Sequence, residues 1–492
     1  MNDRLASPRI VVIGGGVTGL SAAHRLLQIG RDRGSPLDVT ILEASGRIGG
    51  VVRTIVRDGF LCEAGPENFV THKPWGVLLC DQLGLTDQIL PTNDRFRRAL
   101  IVRRGRLVSI PDGFVLLAPT KIWPTIRSPL FSWPGKLRIA METLMTPRRS
   151  VDDESLAAFA TRHFGREILD RVVQPLVGGI YTADPERLSL RATMPMFLEM
   201  ESEFGSVIRA LRRRTRDQRD QASGARYGLF VTLRNGLEDL VSTLADRIGR
   251  QHIRANQPVT TINSGDRDVR WSIGLEDGAR IQADGVIIAG PSRSAAAILE
   301  RLDPEVAAML SAIRYTSSAV VHCVFRREDV PHKLDAFGFV VPILERRRIL
   351  AASFSSVKFE GRAPEGFVLI RVFLGGALQP EMMQRDDADM VAAVRADLGD
   401  LLGIRRSPRW SMVHRWPNAM PEYAVGHLDH VTAINQKLAQ LPGIEVAGNG
   451  FGGVGIPDCI HEGWQAADRL LAELPGRQGV GGHCASGGDP VA

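Results

Sequence analysis

The chain has 492 residues, 44% hydrophobic and 24% charged, with a formal net charge of +6. That length allows two or three cores, and the ordinary globular usage excludes a largely disordered chain. The basic excess is mild and not gathered into nucleic-acid-reading motifs, which argues against nucleic acid and for anionic small molecules or an anionic membrane surface.

Met1 to Pro8 carries Asp3 and Arg4 and no signal-peptide pattern. No run of 18 apolar residues occurs, so a cytoplasmic protein without a spanning helix is expected. Ile10 to Ile13 predicts a strand that runs straight into Gly14-Gly15-Gly16-Val17-Thr18-Gly19. Leu20, Ala23, Leu26 and Leu27 then predict a helix. This is G-x-G-x-x-G in the strand–turn–helix setting of a dinucleotide site. Gly14 allows the tight turn, Gly16 lets the backbone approach a pyrophosphate, and Gly19 lets helix and strand pack closely. The helix N-terminus offers free N–H groups to phosphates. Val39 to Glu43 predicts the next strand, and Glu43 stands where a carboxylate accepts hydrogen bonds from ribose hydroxyls. A glycine-rich turn alone has a bland alternative, a surface loop; the ordered strand, turn, helix, strand and acid favour dinucleotide binding.

The run Glu43-Ala44-Ser45-Gly46-Arg47-Ile48-Gly49-Gly50 resembles the extended fingerprint of the FAD-dependent amine oxidase and desaturase superfamily. The resemblance implies non-covalent FAD held by Gly14, Gly15, Gly16, Gly19, Glu43, Ala44, Arg47, Gly49 and Gly50. It also implies that Gly65, Pro66 and Glu67, within Glu63 to Phe69, run beside the flavin. Further along, residues 95–205 read as mainly helical, broken by Pro111, Pro119, Pro124, Pro129 and Pro134. Phe114 to Met145 interleaves Trp123, Phe131 and Trp133 with Lys121, Arg127, Lys136 and Arg138. That pattern suits either an interfacial membrane surface or a cavity wall with a basic rim.

At Gly178-Gly179-Ile180-Tyr181-Thr182-Ala183-Asp184-Pro185, followed by Leu188-Ser189, the chain is similar to the protoporphyrinogen/coproporphyrinogen oxidase family. Phe230 to Leu237, Arg415-Trp416 with Ala419 to Tyr423, and Asn449 to Cys459 resemble that family as well. Leu211 to Gly224, rich in arginine, reads as a solvated helix end or loop. Val259 to Ile262 and Arg270 to Leu275 read as β-structure, and Ile281 to Pro291 as a strand returning to the FAD sheet. Gly443 to Asn449 predicts a strand and turn, Gly450 to Pro457 a glycine loop, and Asp458 to Leu471 a helix. By resemblance Val259, Trp416, Gly448, Asn449, Val454, Gly455 and Ile456 complete the cofactor set. The expected fold is α/β. It has a discontinuous Rossmann-like FAD-binding domain (1–90, 227–295 and 426–475), a helical subdomain at 95–205 at the substrate or membrane, an α+β substrate domain at 296–425, and a frayed tail at 476–492.

The resemblance implies six-electron oxidation of a porphyrinogen, either coproporphyrinogen III or protoporphyrinogen IX, to the porphyrin in haem biosynthesis. Oxygen would be the acceptor and hydrogen peroxide the by-product. The flavin carries out the chemistry, which accounts for the lack of a Ser/His/Asp or Cys/His constellation. Arg98, then Arg95, with Arg97 competing, would meet a substrate propionate. Gly179 would leave room beside the reacting carbon, and Trp416 would pack near the isoalloxazine or simply in the core. An amine oxidase, a carotenoid-type desaturase and a non-catalytic flavin-binding partner remain the alternatives. Cys62, Cys80, Cys323, Cys459 and Cys484 form no CxxC pair and predict reduced thiols. His427 and His430 lack companions for a metal site. Peripheral membrane contact and a homodimer both stay open.

Overall fold

The computed structural model describes residues 7–115, 117–148, 152–220, 229–265 and 269–474. The expected frayed tail at 476–492, Cys484 and most of Met1 to Pro8 lie outside the described residues.

The β-branched run becomes strand Arg9–Ile13, which pairs in parallel with Asp38–Leu42 on one side and Gly285–Ala289 on the other. Ile253–Arg254 and Ile444–Ala447 add the outer strands of this five-stranded parallel sheet. Near-continuous apolar strands are the mark of a sheet covered on both faces. Ile10, Val12 and Ile41 pack with helices Val17–Asp32 and Ile456–Glu473. Val11, Ile13 and Leu42 pack instead with the antiparallel meander of Val259–Ser264, Trp271–Leu275 and Arg280–Ala283. The two helices approach closely: a Cβ at Gly463 would sit 2.3 Å from the Thr18 carbonyl oxygen.

A second, seven-stranded mixed sheet runs in the order Trp410–Pro421, Tyr315–Arg326, Phe367–Gly375, Ala351–Ser353, Gly338–Val340, Ala99–Arg103, Arg106–Ser109. The last two strands belong to the start of the 95–205 stretch, whose regular structure is otherwise mostly helical. Leu100 and Val102 enter one core while Ile101 enters another, which is strand periodicity. Arg104 and Gly105 join the strands with φ of 50° and 70°. Two consecutive positive φ values give the hairpin turn that matches strand twist. Short strands Phe114–Val115 and Ala118–Pro119 follow, and helices occupy the stretch from Ile122 to Asp220. The arginine-rich segment is the end of helix Val207–Asp220, as read from its polarity; residues 221–224 lie outside the described set.

Candidate functional site

The glycine loop leaves strand Arg9–Ile13 at the carboxyl edge of the parallel sheet, where ligands of such folds lie. Gly14 has φ of +111°, and a Cβ there would meet the Ala289 carbonyl oxygen at 2.2 Å. At Gly19 a Cβ would sit 2.0 Å from the Gly14 carbonyl oxygen, so helix and turn touch through backbone. Gly16 differs, because a Cβ there would meet nothing within 4 Å. Helix Val17–Asp32 has no side-chain cap and no acidic residue in its first turn. Open space over Gly16 and uncapped N–H groups together suit a pyrophosphate, so the residues fit a dinucleotide.

Glu43 directly follows strand Asp38–Leu42. Its carboxylate accepts from Gly15 N–H at 2.7 Å, Ser45 N–H at 2.8 Å and the Ser45 hydroxyl at 2.7 Å. It therefore ties the glycine loop to the next turn, with one acceptor position, on Oε2, left for a sugar hydroxyl. Gly49 N–H donates to the Gly15 carbonyl at 2.8 Å, closing the two loops together. Ala44 is exposed on this turn. Arg47 donates to the carbonyls of Ile48 at 2.7 Å, Val52 at 3.3 Å and Gly50, and stands 3.9 Å from Glu238. It braces the loop from within. Gln257 N–H donates to the Glu43 carbonyl at 2.9 Å, which brings the start of strand Val259–Ser264, with half-buried Val259, beside the same turn.

The C-terminal members converge on this edge. Gly448 has φ of +150°, with the Gly290 carbonyl oxygen 2.7 Å from where a Cβ would sit. Asn449 donates to the Ala419 carbonyl at 3.0 Å, and its own carbonyl accepts from the Tyr423 hydroxyl at 2.5 Å. Half-buried Val454 leads into Gly455 and Ile456, which begin helix Ile456–Glu473. Asp458 caps Gly455 N–H at 3.2 Å and also accepts from Lys73 at 2.6 Å. Phe69 lies under Gly76, which in turn abuts Pro457, so the segment after Glu67 ends against this helix N-terminus.

Residues 64–67 are fastened to the seven-stranded sheet. The Trp416 indole N–H donates to the Ala64 carbonyl at 2.7 Å, and Arg371 donates to the Gly65 carbonyl. Gly65 is pressed against Val51, whose carbonyl oxygen would stand 1.8 Å from a Cβ. Glu67 follows half-buried Pro66 and is itself buried. It accepts from the Ser353 hydroxyl at 3.1 Å, the Ser355 hydroxyl and Lys358 at 3.2 Å. Burial pushes its carboxyl up, but Lys358, Arg371 and Ser355 outweigh that and hold it at about 2. Burial raises Glu63 to about 7 despite hydrogen bonds from Leu237 N–H and Thr54. Across the sheet the register runs His322, Arg371, Ser353 in one row and Val320, Phe373, Ala351, Val340 in a parallel row. Gly179, on helix Gln174–Tyr181, faces that second row, its Cβ position 3.8 Å from Val340 and 3.9 Å from Ala351.

The arginines before Pro111 lie apart from these contacts. Arg98 is exposed and bonded to Asp335 through its carbonyl at 2.8 Å and its carboxylate. Arg97 pairs with Asp94 at 3.4 Å. Arg95 lies with its guanidinium 5.2 Å from the Phe96 ring centroid. Arg371, Lys358, Ser353 and Ser355 were missed from sequence. A lone arginine inside Phe-Val-Leu-Ile-Arg-Val-Phe-Leu was the available signal, because a charge in a core strand needs a partner. His427 stacks on Tyr423 at 4.1 Å, His430 meets the Met309 carbonyl, and the described residues hold no metal-binding cluster. Cys62, Cys80, Cys323 and Cys459 are free thiols.

Residues 17–471 match the family of flavin containing amine oxidoreductases. The chain is 33% identical over 467 residues to a coproporphyrinogen III oxidase of Bacillus subtilis (strain 168), covering 94% of this chain and 98% of that one. It is 30% identical over 502 residues to protoporphyrinogen oxidase 2, chloroplastic/mitochondrial, of Arabidopsis thaliana, covering 96% and 95%. A solved structure from Exiguobacterium sp. 255-15, described as a "Putative protoporphyrinogen oxidase", superposes with a TM-score of 0.84 at 29% identity, over 95% of this chain and 99% of that one.

Proposed function

The chain belongs to the flavin-containing amine oxidoreductase family, and from that premise we propose that it oxidises a porphyrinogen to the porphyrin in haem biosynthesis. The observation that carries the reading is identity along nearly the whole chain to porphyrinogen oxidases. Identities of 33%, 34% and 32% to three coproporphyrinogen III oxidases, against 30% or less to the protoporphyrinogen oxidases, favour coproporphyrinogen III as substrate. Structures of putrescine oxidase at 16% identity share only the fold and give no support to an amine substrate.

FAD, when bound, accepts two electrons per round, so six electrons leave the macrocycle in three rounds, with oxygen as the acceptor that resets it. The protein's part is orientation and exclusion of water. Val340, Ala351 and Phe373 offer an apolar wall, and helix Gln174–Tyr181 comes up to its edge at Gly179, where no side chain intrudes. Of the surface arginines, Arg95 carries no carboxylate partner among the described residues, whereas Arg98 is already held by Asp335. This shifts the choice for a propionate anchor from Arg98 to Arg95.

Membrane contact belongs to the same reading. Trp133, Leu137, Met141 and Leu144 are 74%, 64%, 51% and 78% exposed and recur every three or four residues, with Lys136 over the Trp133 ring at 4.8 Å. Such a stripe suits peripheral attachment to an anionic bilayer on the cytoplasmic side. No helix among the described residues is long and apolar enough to cross a membrane.

The test is anaerobic mixing of FAD-loaded protein with coproporphyrinogen III. Bleaching of the flavin within the first turnover supports the proposal, and an unbleached flavin that putrescine or an aromatic amine then bleaches overturns it.

A further inference from the structure

Arg371 sits in the middle of strand Phe367–Gly375 and is only 6% exposed. Among the described residues its guanidinium has one hydrogen bond, to the Gly65 carbonyl, and its Nε has no partner. It forms no ion pair among those residues. Glu67 and Glu63 act on it only through space, and Glu67 is already engaged by Lys358, Ser353 and Ser355. Its other neighbours are neutral or cationic. The Phe373 ring lies 4.5 Å from it. His322 is fully buried, and burial holds it near 3. Lys358, half-buried, is a second cation at this junction. Buried Arg371 and half-buried Lys358 thus share the Glu67 carboxylate, with Glu63, held near 7 by burial, as the other acid nearby, an arrangement that is costly unless an anion completes it.

Such an anion belongs on the side of residues 64–67, because Arg371 grips that segment. We propose that Arg371 is the positioning charge for the bound flavin: it stabilises the negative charge the flavin gains on taking up two electrons and one proton, and so raises the reduction potential. The electrons come from the porphyrinogen, which gives up two electrons and two protons per round, the second proton passing to solvent. The inference rests on the flavoenzyme reading. The potential is measured without substrate, however, so failure of the porphyrinogen assignment and failure of this proposal are distinguishable.

The experiment is dye-equilibrated reductive titration of the FAD-loaded protein, with sulfite affinity as a second readout. Arg371→Met is expected to lower the two-electron reduction constant at least tenfold, about 30 mV for a two-electron couple, and to weaken sulfite binding. Arg371→Lys should recover most of the loss. Glu67→Gln removes the opposing charge and should move the potential upward; it carries the test alone if Arg371→Met does not fold. A purely structural clamp would shift both variants in the same direction or neither. An unchanged potential in FAD-loaded Arg371→Met overturns the proposal, and a raised KM with unchanged potential would reassign Arg371 to a substrate carboxylate.

Discussion

Replacing Gly16 by alanine separates the protein's own packing from the packing of its cofactor. In the structure the added methyl meets nothing within 4 Å, and Gly16 has an ordinary φ of −75°. The protein alone should therefore lose no more than about 1 kcal/mol, the scale of replacing a glycine N-cap by alanine. If a pyrophosphate fills the space over Gly16, the same methyl overpacks the complex. Overpacking costs about 1–3 kcal/mol, which is roughly a 5- to 150-fold rise in Kd. The control is Gly19→Ala, whose methyl would lie 2.0 Å from the Gly14 carbonyl oxygen and 3.2 Å from the Ala289 Cβ. That change must strain the protein with or without ligand. The assay pairs urea denaturation of the apoprotein with FAD titration by flavin fluorescence quenching. Gly16→Ala should keep apoprotein stability and lose affinity, while Gly19→Ala should lose both. A Gly16→Ala protein with the parent Kd would refute the placement of the pyrophosphate.

The same logic applies to Gly179→Ala: its methyl finds ordinary contact distances to Val340 and Ala351, so folding and FAD content should hold while KM for coproporphyrinogen rises several-fold; unchanged KM would remove Gly179 from the substrate wall. Trp416→Phe deletes the bond to Ala64, worth about 0.5–1.5 kcal/mol, and should show as faster FAD release on dilution. Acid should destabilise the fold from pH 6.5 downward. Burial, aided by nearby arginines or by His430, holds His24 and His427 near 4, and burial with Arg371 holds His322 near 3, against 6.5 when unfolded, so the unfolded chain binds three more protons in that window. Glu63 and Glu462, raised by burial to about 7, bind two more in the folded state and offset part of this. His72, His332 and His414, also lowered by burial, add to the loss and Glu445, raised by burial, opposes it; each net proton bound by the unfolded chain gives a slope of about 1.4 kcal/mol per pH unit between 6.5 and 4.5. Below 4.5 the offset ends and Glu67 adds its own loss, so urea midpoints should fall more steeply there; flat midpoints from pH 6.5 to 4 would contradict the burial of these histidines.

The cofactor edge was legible because its signals are local. Gly14, Gly16 and Gly19 fall within six residues at one strand-to-helix turn, and Glu43 follows a strand whose apolar run is unmistakable. Arg47 is informative in a different way: its position was readable, but only the fold reveals that it holds the carbonyls of its own loop. The hairpin at Arg104-Gly105 was hidden by prolines farther along that read as helix breaks. Least legible was the junction of residues 64–67 with Trp416, Arg371 and Lys358, since those partners are about 290 to 350 residues away in sequence. Periodicity within one strand carries no record of what lies across a sheet from it.

The most direct test of the central claim is aerobic appearance of porphyrin fluorescence from coproporphyrinogen III and protoporphyrinogen IX, with peroxide measured in parallel. Rapid porphyrin formation above autoxidation is expected, faster with coproporphyrinogen III, with three peroxides per porphyrin, as removal of six electrons requires. No rate above autoxidation with either substrate, from protein shown to carry FAD, would contradict it.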